Sequence, residues 1–147
     1  MKKTMLCTFG LLLAACHDEP TMTFGLEFRV AGSETGALTS QFCSPPGEYG
    51  GLMHGSSIDD WEIDEPPPHL FLEAEPDAEE NVYRVQVYVA SELEEDGIWW
   101  EPSEVLAERT YDSAFGESGA QDSFVVDFEE QQYTVEVLGL PPDATCP

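Results

Sequence analysis

The chain has 147 residues, with thirty Asp and Glu against five Lys and Arg and a formal net charge of −25 at pH 7. Nucleic acid is excluded as a partner, and anionic lipid headgroups are poor ones, because both are held by the lysine and arginine contacts that this chain lacks. With 41% hydrophobic and 11% aromatic residues, the composition is that of a folded domain and not of a disordered chain.

The first distinctive element is Met1-Lys2-Lys3 followed by an apolar run from Met5 to Ala15 that ends in Leu13-Ala14-Ala15-Cys16. Two lysines stay on the cytoplasmic side while an apolar segment enters the membrane, and small residues before the cut leave room for a peptidase. As a helix, the eleven residues from Met5 to Ala15 rise about 16 Å, far short of a bilayer core of about 30 Å, which points to a signal peptide instead of a permanent span.

Leu13-Ala14-Ala15-Cys16 resembles the lipobox of bacterial lipoproteins. The resemblance implies that residues 1–15 are removed, that Cys16 takes diacylglycerol on its sulfur and becomes an acylated N-terminus, and that residues 16–22 form a tether. More than one acyl chain gives stable anchoring, whereas a single chain binds only marginally. In enteric bacteria an Asp after the lipidated cysteine favours inner-membrane retention; His17 stands there, so the resemblance implies the outer membrane of the cell envelope. His17-Asp18-Glu19 also resembles the acidic export tag of surface lipoproteins in some other phyla. Ordinary secretion, with Cys16 as a nearby thiol, is the alternative.

Lys2 and Lys3 are the only lysines, so the mature chain keeps Arg29, Arg84 and Arg109 against all thirty acids, a net charge of −27. A solvated, salt-adapted coat explains that charge, and one or more sites for calcium are the competing explanation. Cys7 leaves with the signal and Cys16 takes the lipid, so Cys43 and Cys146 remain. In an oxidising envelope they are expected to form a disulfide, with a metal pair or two free thiols as alternatives.

Along residues 23–147, which read as a single domain, strand periodicity dominates. Phe24, Leu26, Phe28 and Val30 alternate with Gly25, Glu27 and Arg29, the two-residue period of a strand with one buried face. Residues 31–68 then break the pattern with six glycines and two proline clusters, although short strands around Ala37–Phe42 and Ile58–Ile63 fit there. An irregular stretch of this length inside a domain is usually a functional or a disordered loop. Alternation returns at Leu70–Glu75, Tyr83–Val89, Phe124–Glu129 and Tyr133–Val137. Val105–Tyr111 is a less regular strand, with a short helix from Pro102-Ser103-Glu104 as the alternative. Pro76-Asp77, Glu95-Asp96-Gly97, Gly116–Gly119 and Pro141-Pro142-Asp143 supply the breaks between these runs.

Six or seven strands without intervening helices predict an all-β, antiparallel β-sandwich with a long irregular loop. Tyr83-Arg84-Val85-Gln86-Val87-Tyr88 resembles the C strand of fibronectin type III and other immunoglobulin-like domains, and Leu140–Cys146 resembles their leucine-to-tyrosine corner. That resemblance implies an immunoglobulin-like architecture, although Cys146 stands where the tyrosine belongs.

Candidate sites are few. Asp60, Glu62 and Asp64 are spaced to put three carboxylates on one face of an extended chain, the hard oxygen donors that calcium takes. The EF-hand pattern is absent, and a solvated strand face explains the same spacing. Trp99 and Trp100 point to opposite faces if extended, leaving one indole to stack on a sugar or dock a protein; an edge strand covered by the long loop is the plainer alternative. His54-Gly55-Ser56-Ser57 lacks the Gly-x-Ser-x-Gly elbow, and His69 has no second histidine at metal-ligand spacing. No catalytic residue and no required cofactor follow from the sequence. The expectation is a lipid-anchored, acidic, non-catalytic binding or structural module whose partner is a protein, the cell wall or a glycan. A calcium-dependent recognition module is the alternative, and a small envelope hydrolase ranks last.

Overall fold

The computed structural model describes residues 20–33, 38–47, 54–59, 67–93 and 100–147. Among them, eight antiparallel strands form two four-stranded sheets. The first sheet has the order β2-β1-β8-β7 and comprises β1 (Gly25–Gly32), β2 (Leu38–Ser44), β7 (Gln121–Phe128) and β8 (Gln131–Leu140). The second is a meander in chain order, β3 (His54–Ser57), β4 (His69–Asp77), β5 (Val82–Leu93) and β6 (Trp100–Asp112).

The all-β antiparallel sandwich expected from the periodicity is therefore present, and the strands beyond the regular ones are short β2 and β3, drawn from the glycine-rich region. The immunoglobulin-like connectivity needs correcting. An immunoglobulin sandwich splits its strands as ABED and CFG, whereas here four consecutive strands make one sheet and the first and last pairs make the other. Tyr83–Tyr88 lies in a central strand, but of a meander. Leu140–Cys146 leads into a disulfide and forms no tyrosine corner.

Alternation decides which side chains meet between the sheets. Leu26, Phe28 and Val30 of β1, Tyr133, Val135 and Val137 of β8, and Phe124, Val126 and Phe128 of β7 face Leu70, Leu72 and Ala74 of β4 and Tyr83, Val85 and Val87 of β5. All are buried, and each large one contributes about 1.5–3 kcal/mol by leaving water. The Ser44 and Tyr83 hydroxyls pair at 2.9 Å inside this core and satisfy each other.

Strand direction gives the sandwich two unlike poles. Residues 20–24, which lead in from the N-terminal segment, sit at the pole that holds the ends of β2, β4, β6 and β8. Gly47 N–H donates to Met22 O there (2.8 Å), Asn81 Nδ2 donates to Thr23 Oγ1 (2.8 Å), and Thr23 Oγ1 donates to Glu117 (2.7 Å). Asn81 has a φ of 55°, in the left-handed region that Asn tolerates.

Val105–Tyr111 lies within β6, so the strand expectation holds and the Pro102 helix does not form. Pro102 is tolerated because β6 is an edge strand, and three register shifts against β5 mark irregular pairing around it. The helix is instead α1 (Ser113–Glu117), capped by Asp112, whose side chain accepts from Phe115 N–H. Gly116 belongs to α1 because nothing larger fits: a Cβ there would stand 1.8 Å from the Phe24 ring. Gly119, with a φ of 66°, closes the turn that follows.

The second sheet departs from simple alternation. Phe71, which alternates out of phase with the inward Leu70 and Leu72 of β4, is 9% exposed and stacks on Tyr88 at 5.6 Å between ring centroids, with Ala90 beside them. A satellite cluster thus buries part of the outer face of this sheet, near the start of β4.

Candidate functional site

The outer face of the first sheet carries a cleft of about 430 Å³ lined by Glu27, Arg29, Gln121, Asp122, Ser123, Glu136, Val137 and Leu138. Its construction follows from the same alternation that fills the core. With Leu26, Phe28 and Val30 inward, Glu27 and Arg29 must point out. Pairing then sets the rows across the face: Gln41, Arg29, Glu136 and Ser123 in one, Cys43, Glu27, Leu138 and Gln121 in the next.

Glu27 is the unusual member. It points away from the core, yet it is only 4% exposed. Its cross-strand neighbour is Cys43, which is bonded to Cys146 with 5.8 Å between the Cα atoms. That bond draws the segment after Leu140 to the row that holds Glu27. A buried carboxylate needs partners, and Glu27 Oε1 accepts from Arg29 Nε at 2.8 Å and from Gln41 Nε2 at 2.9 Å. Among the described residues, Glu27 is the only side chain paired with Arg29, whose own side chain is half exposed (51%). The guanidinium is thus held through Nε along its own strand, at the lining of the cleft. Across the strand, exposed Glu136 stands opposite Arg29 without pairing to it.

Asp122 closes one wall. Its Oδ2 accepts from Tyr111 OH at 2.8 Å and its Oδ1 from Ser123 N–H at 2.9 Å, which ties the edge strand of one sheet to that of the other. Burial and then this carboxylate push the Tyr111 hydroxyl well above the ordinary tyrosine range, so it stays a donor. Arg109, 4.8 Å from the centre of the Phe124 ring, seals the same edge.

A second polar cluster centres on Asp59. Its Oδ1 accepts from Leu70 N–H at 2.9 Å and from Ser57 Oγ at 3.0 Å, and its Oδ2 lies 3.3 Å from His69 Nδ1. Ser, His and Asp meet here, but the carboxylate stands between serine and histidine, where a nucleophilic triad places the histidine. Leu70 N–H and Ser57 take one oxygen of Asp59 and His69 the other, which makes it the fastener of the β3–β4 connection.

The calcium candidates Asp60, Glu62 and Asp64 lie outside the described residues, as does Trp99. Trp100 opens β6 opposite Leu93, its side chain outside the described set. The flanking residues, Asp59 and Pro67 on one side and Leu93 and Trp100 on the other, all sit at the pole away from residues 20–24. Cys16 also lies outside the described residues, while Cys43 and Cys146 are joined as expected. Among the described residues no three His, Cys, Asp or Glu converge as metal ligands, and no helix is long and apolar enough to cross a membrane.

Sequence reasoning passed over Glu27, Arg29 and Glu136. One signal was available: an arginine two residues from a glutamate on the outward face of a strand, in a chain with only three arginines.

No protein-family model, curated protein or solved structure matches the chain.

Proposed function

We propose that this chain is a lipid-anchored, acidic protein of the bacterial cell envelope, held at the outer membrane through Cys16, that acts as a non-catalytic binding module. The observation that carries the reading is the Cys43–Cys146 disulfide. Disulfides persist in oxidising compartments and are rare in the cytosol, and an exported lipoprotein is the class of chain that Leu13-Ala14-Ala15-Cys16 resembles. The cleft supports the binding part, because a buried carboxylate that fixes an outward guanidinium is a costly arrangement on a surface that needs only to be soluble. The Asp59 cluster supports a structural role for Ser57 and His69.

Expression in a Gram-negative host fed an alkyne fatty acid tests the anchor. The wild-type protein should carry the label and fractionate with outer membranes. Cys16→Ser should lose the label and remain unprocessed. Equal processing and solubility of both forms would reject the lipid anchor in favour of ordinary secretion.

A further inference from the structure

We infer that the outer-face cleft binds a small zwitterion, a free amino acid, with its carboxylate on Arg29 and its ammonium on Glu136. This deepens the binding-module reading and rests on it.

The charge pattern selects the ligand. Two outward carboxylates (Glu27 and Glu136), a third turned between the sheets to Tyr111 (Asp122) and one guanidinium line the cleft. A simple anion would meet a net negative field, and a simple cation would leave the guanidinium fork unmatched. Arg29 and Glu136 are directly opposed on adjacent strands, where Cβ atoms stand about 4.5–5.5 Å apart. They are nevertheless uncoupled, because Arg29 turns along β1 to the buried Glu27.

Two opposite charges thus stand side by side on adjacent strands without pairing to each other, which fits a molecule whose own opposite charges lie a few ångströms apart. Guanidinium reads a carboxylate bidentately. The other two acids have prior partners: Glu27 Oε1 takes Arg29 and Gln41, and Asp122 takes Tyr111 and Ser123 N–H. Glu136 has none among the described residues and is the group left for an ammonium. Exposed Gln121 and Ser123 flank it, and Leu138 gives the floor an apolar strip. The surplus of negative charge favours a zwitterion with a second cation, so a basic amino acid should bind best.

The test uses the full-length protein in detergent micelles, titrated with L-lysine, L-alanine, acetate and ethylamine at constant ionic strength, with the Arg29 Nε–Hε signal followed by NMR. L-Lysine should bind tightest and L-alanine next, with acetate and ethylamine weakest. Glu136→Gln touches no described partner and should keep the fold. It should weaken L-lysine by about tenfold, the scale of one charge-assisted hydrogen bond, and strengthen acetate. Arg29→Lys keeps the charge but loses the fork and should weaken both amino acids.

Acetate or ethylamine matching L-lysine, an Arg29 signal that moves no more than in sodium chloride, or wild-type affinity in Glu136→Gln would each overturn the inference. Cross-linking in intact envelopes separates the two levels: a specific protein contact mapped elsewhere on the domain, with L-lysine unbound, leaves the binding module standing and removes its zwitterion site.

Discussion

Replacing both Cys43 and Cys146 by alanine should cost this domain about 4–5 kcal/mol. The bond joins positions 103 residues apart, and the loop-closure entropy that it removes from the unfolded chain comes to about 4.7 kcal/mol at 25 °C. For a domain of this size that is a fall in Tm of about 12–18 °C. Urea unfolding of the oxidised protein and the double variant, monitored by tryptophan fluorescence, measures the difference from midpoint and slope together, the slope rising in the variant because its unlinked denatured chain exposes more surface. Hydrogen exchange distinguishes the mechanism. If the bond acts on the unfolded chain, the most protected amides of β1 and β8 should lose the same free energy as the global transition. The amides of β2 and of the segment after Leu140 should additionally exchange by local opening. A loss below about 1 kcal/mol would refute the reasoning and mean that the unfolded chain is already compact enough to gain little from the link.

Gly116→Ala should lower stability by about 1–3 kcal/mol or prevent folding, since its Cβ would overlap Phe24 in a filled core; thermal unfolding reads this directly. Tyr111→Phe should flatten the alkaline limb of stability. The hydroxyl's folded pKa is raised by burial and by Asp122, so the stability it gives is complete below the ordinary tyrosine pKa of about 10 and is lost as pH rises beyond it. A steep alkaline limb that persists in the variant would contradict this assignment. Asp77→Asn acts at the opposite end: the Glu80 N–H and then Arg84 hold the Asp77 carboxyl below the usual carboxylate range. Its contribution is present above that range and lost on acidification, so the variant should show a shallower acid limb in pH-dependent unfolding. Asp59→Ala should cost about 1–3 kcal/mol by leaving Leu70 N–H without its acceptor. Increased exchange at Leu70 and Ile58 amides would localise the damage.

What was legible in the sequence is what local period determines. Leu26, Phe28 and Val30 declare a strand with one buried face whatever packs against it, and so do Val85 and Val87 or Val135 and Val137; the all-β class follows without any knowledge of partners. The cysteines were legible by elimination. Gly116–Gly119 reads in the sequence as a break between strands, whereas the structure puts Gly116 in a short helix capped by Asp112 and packed on Phe24, a contact with a residue far away in sequence.

Tertiary structure alone decided the rest. Whether consecutive strands alternate between sheets or meander within one depends on which edges find each other, and no periodicity encodes that, so the immunoglobulin-like connectivity gave way to the order β2-β1-β8-β7 and β3-β4-β5-β6. Phe71 carries the outward phase of β4, but burial on that face requires Tyr88 and Ala90 from the next strand. The cleft shows the same division. Alternation sends Glu27 and Arg29 outward, while the register that sets Arg29 opposite Glu136 joins strands more than 100 residues apart in sequence, and the disulfide beside Glu27 spans 103. Local sequence determines which way a side chain points, and long-range pairing determines what it meets there.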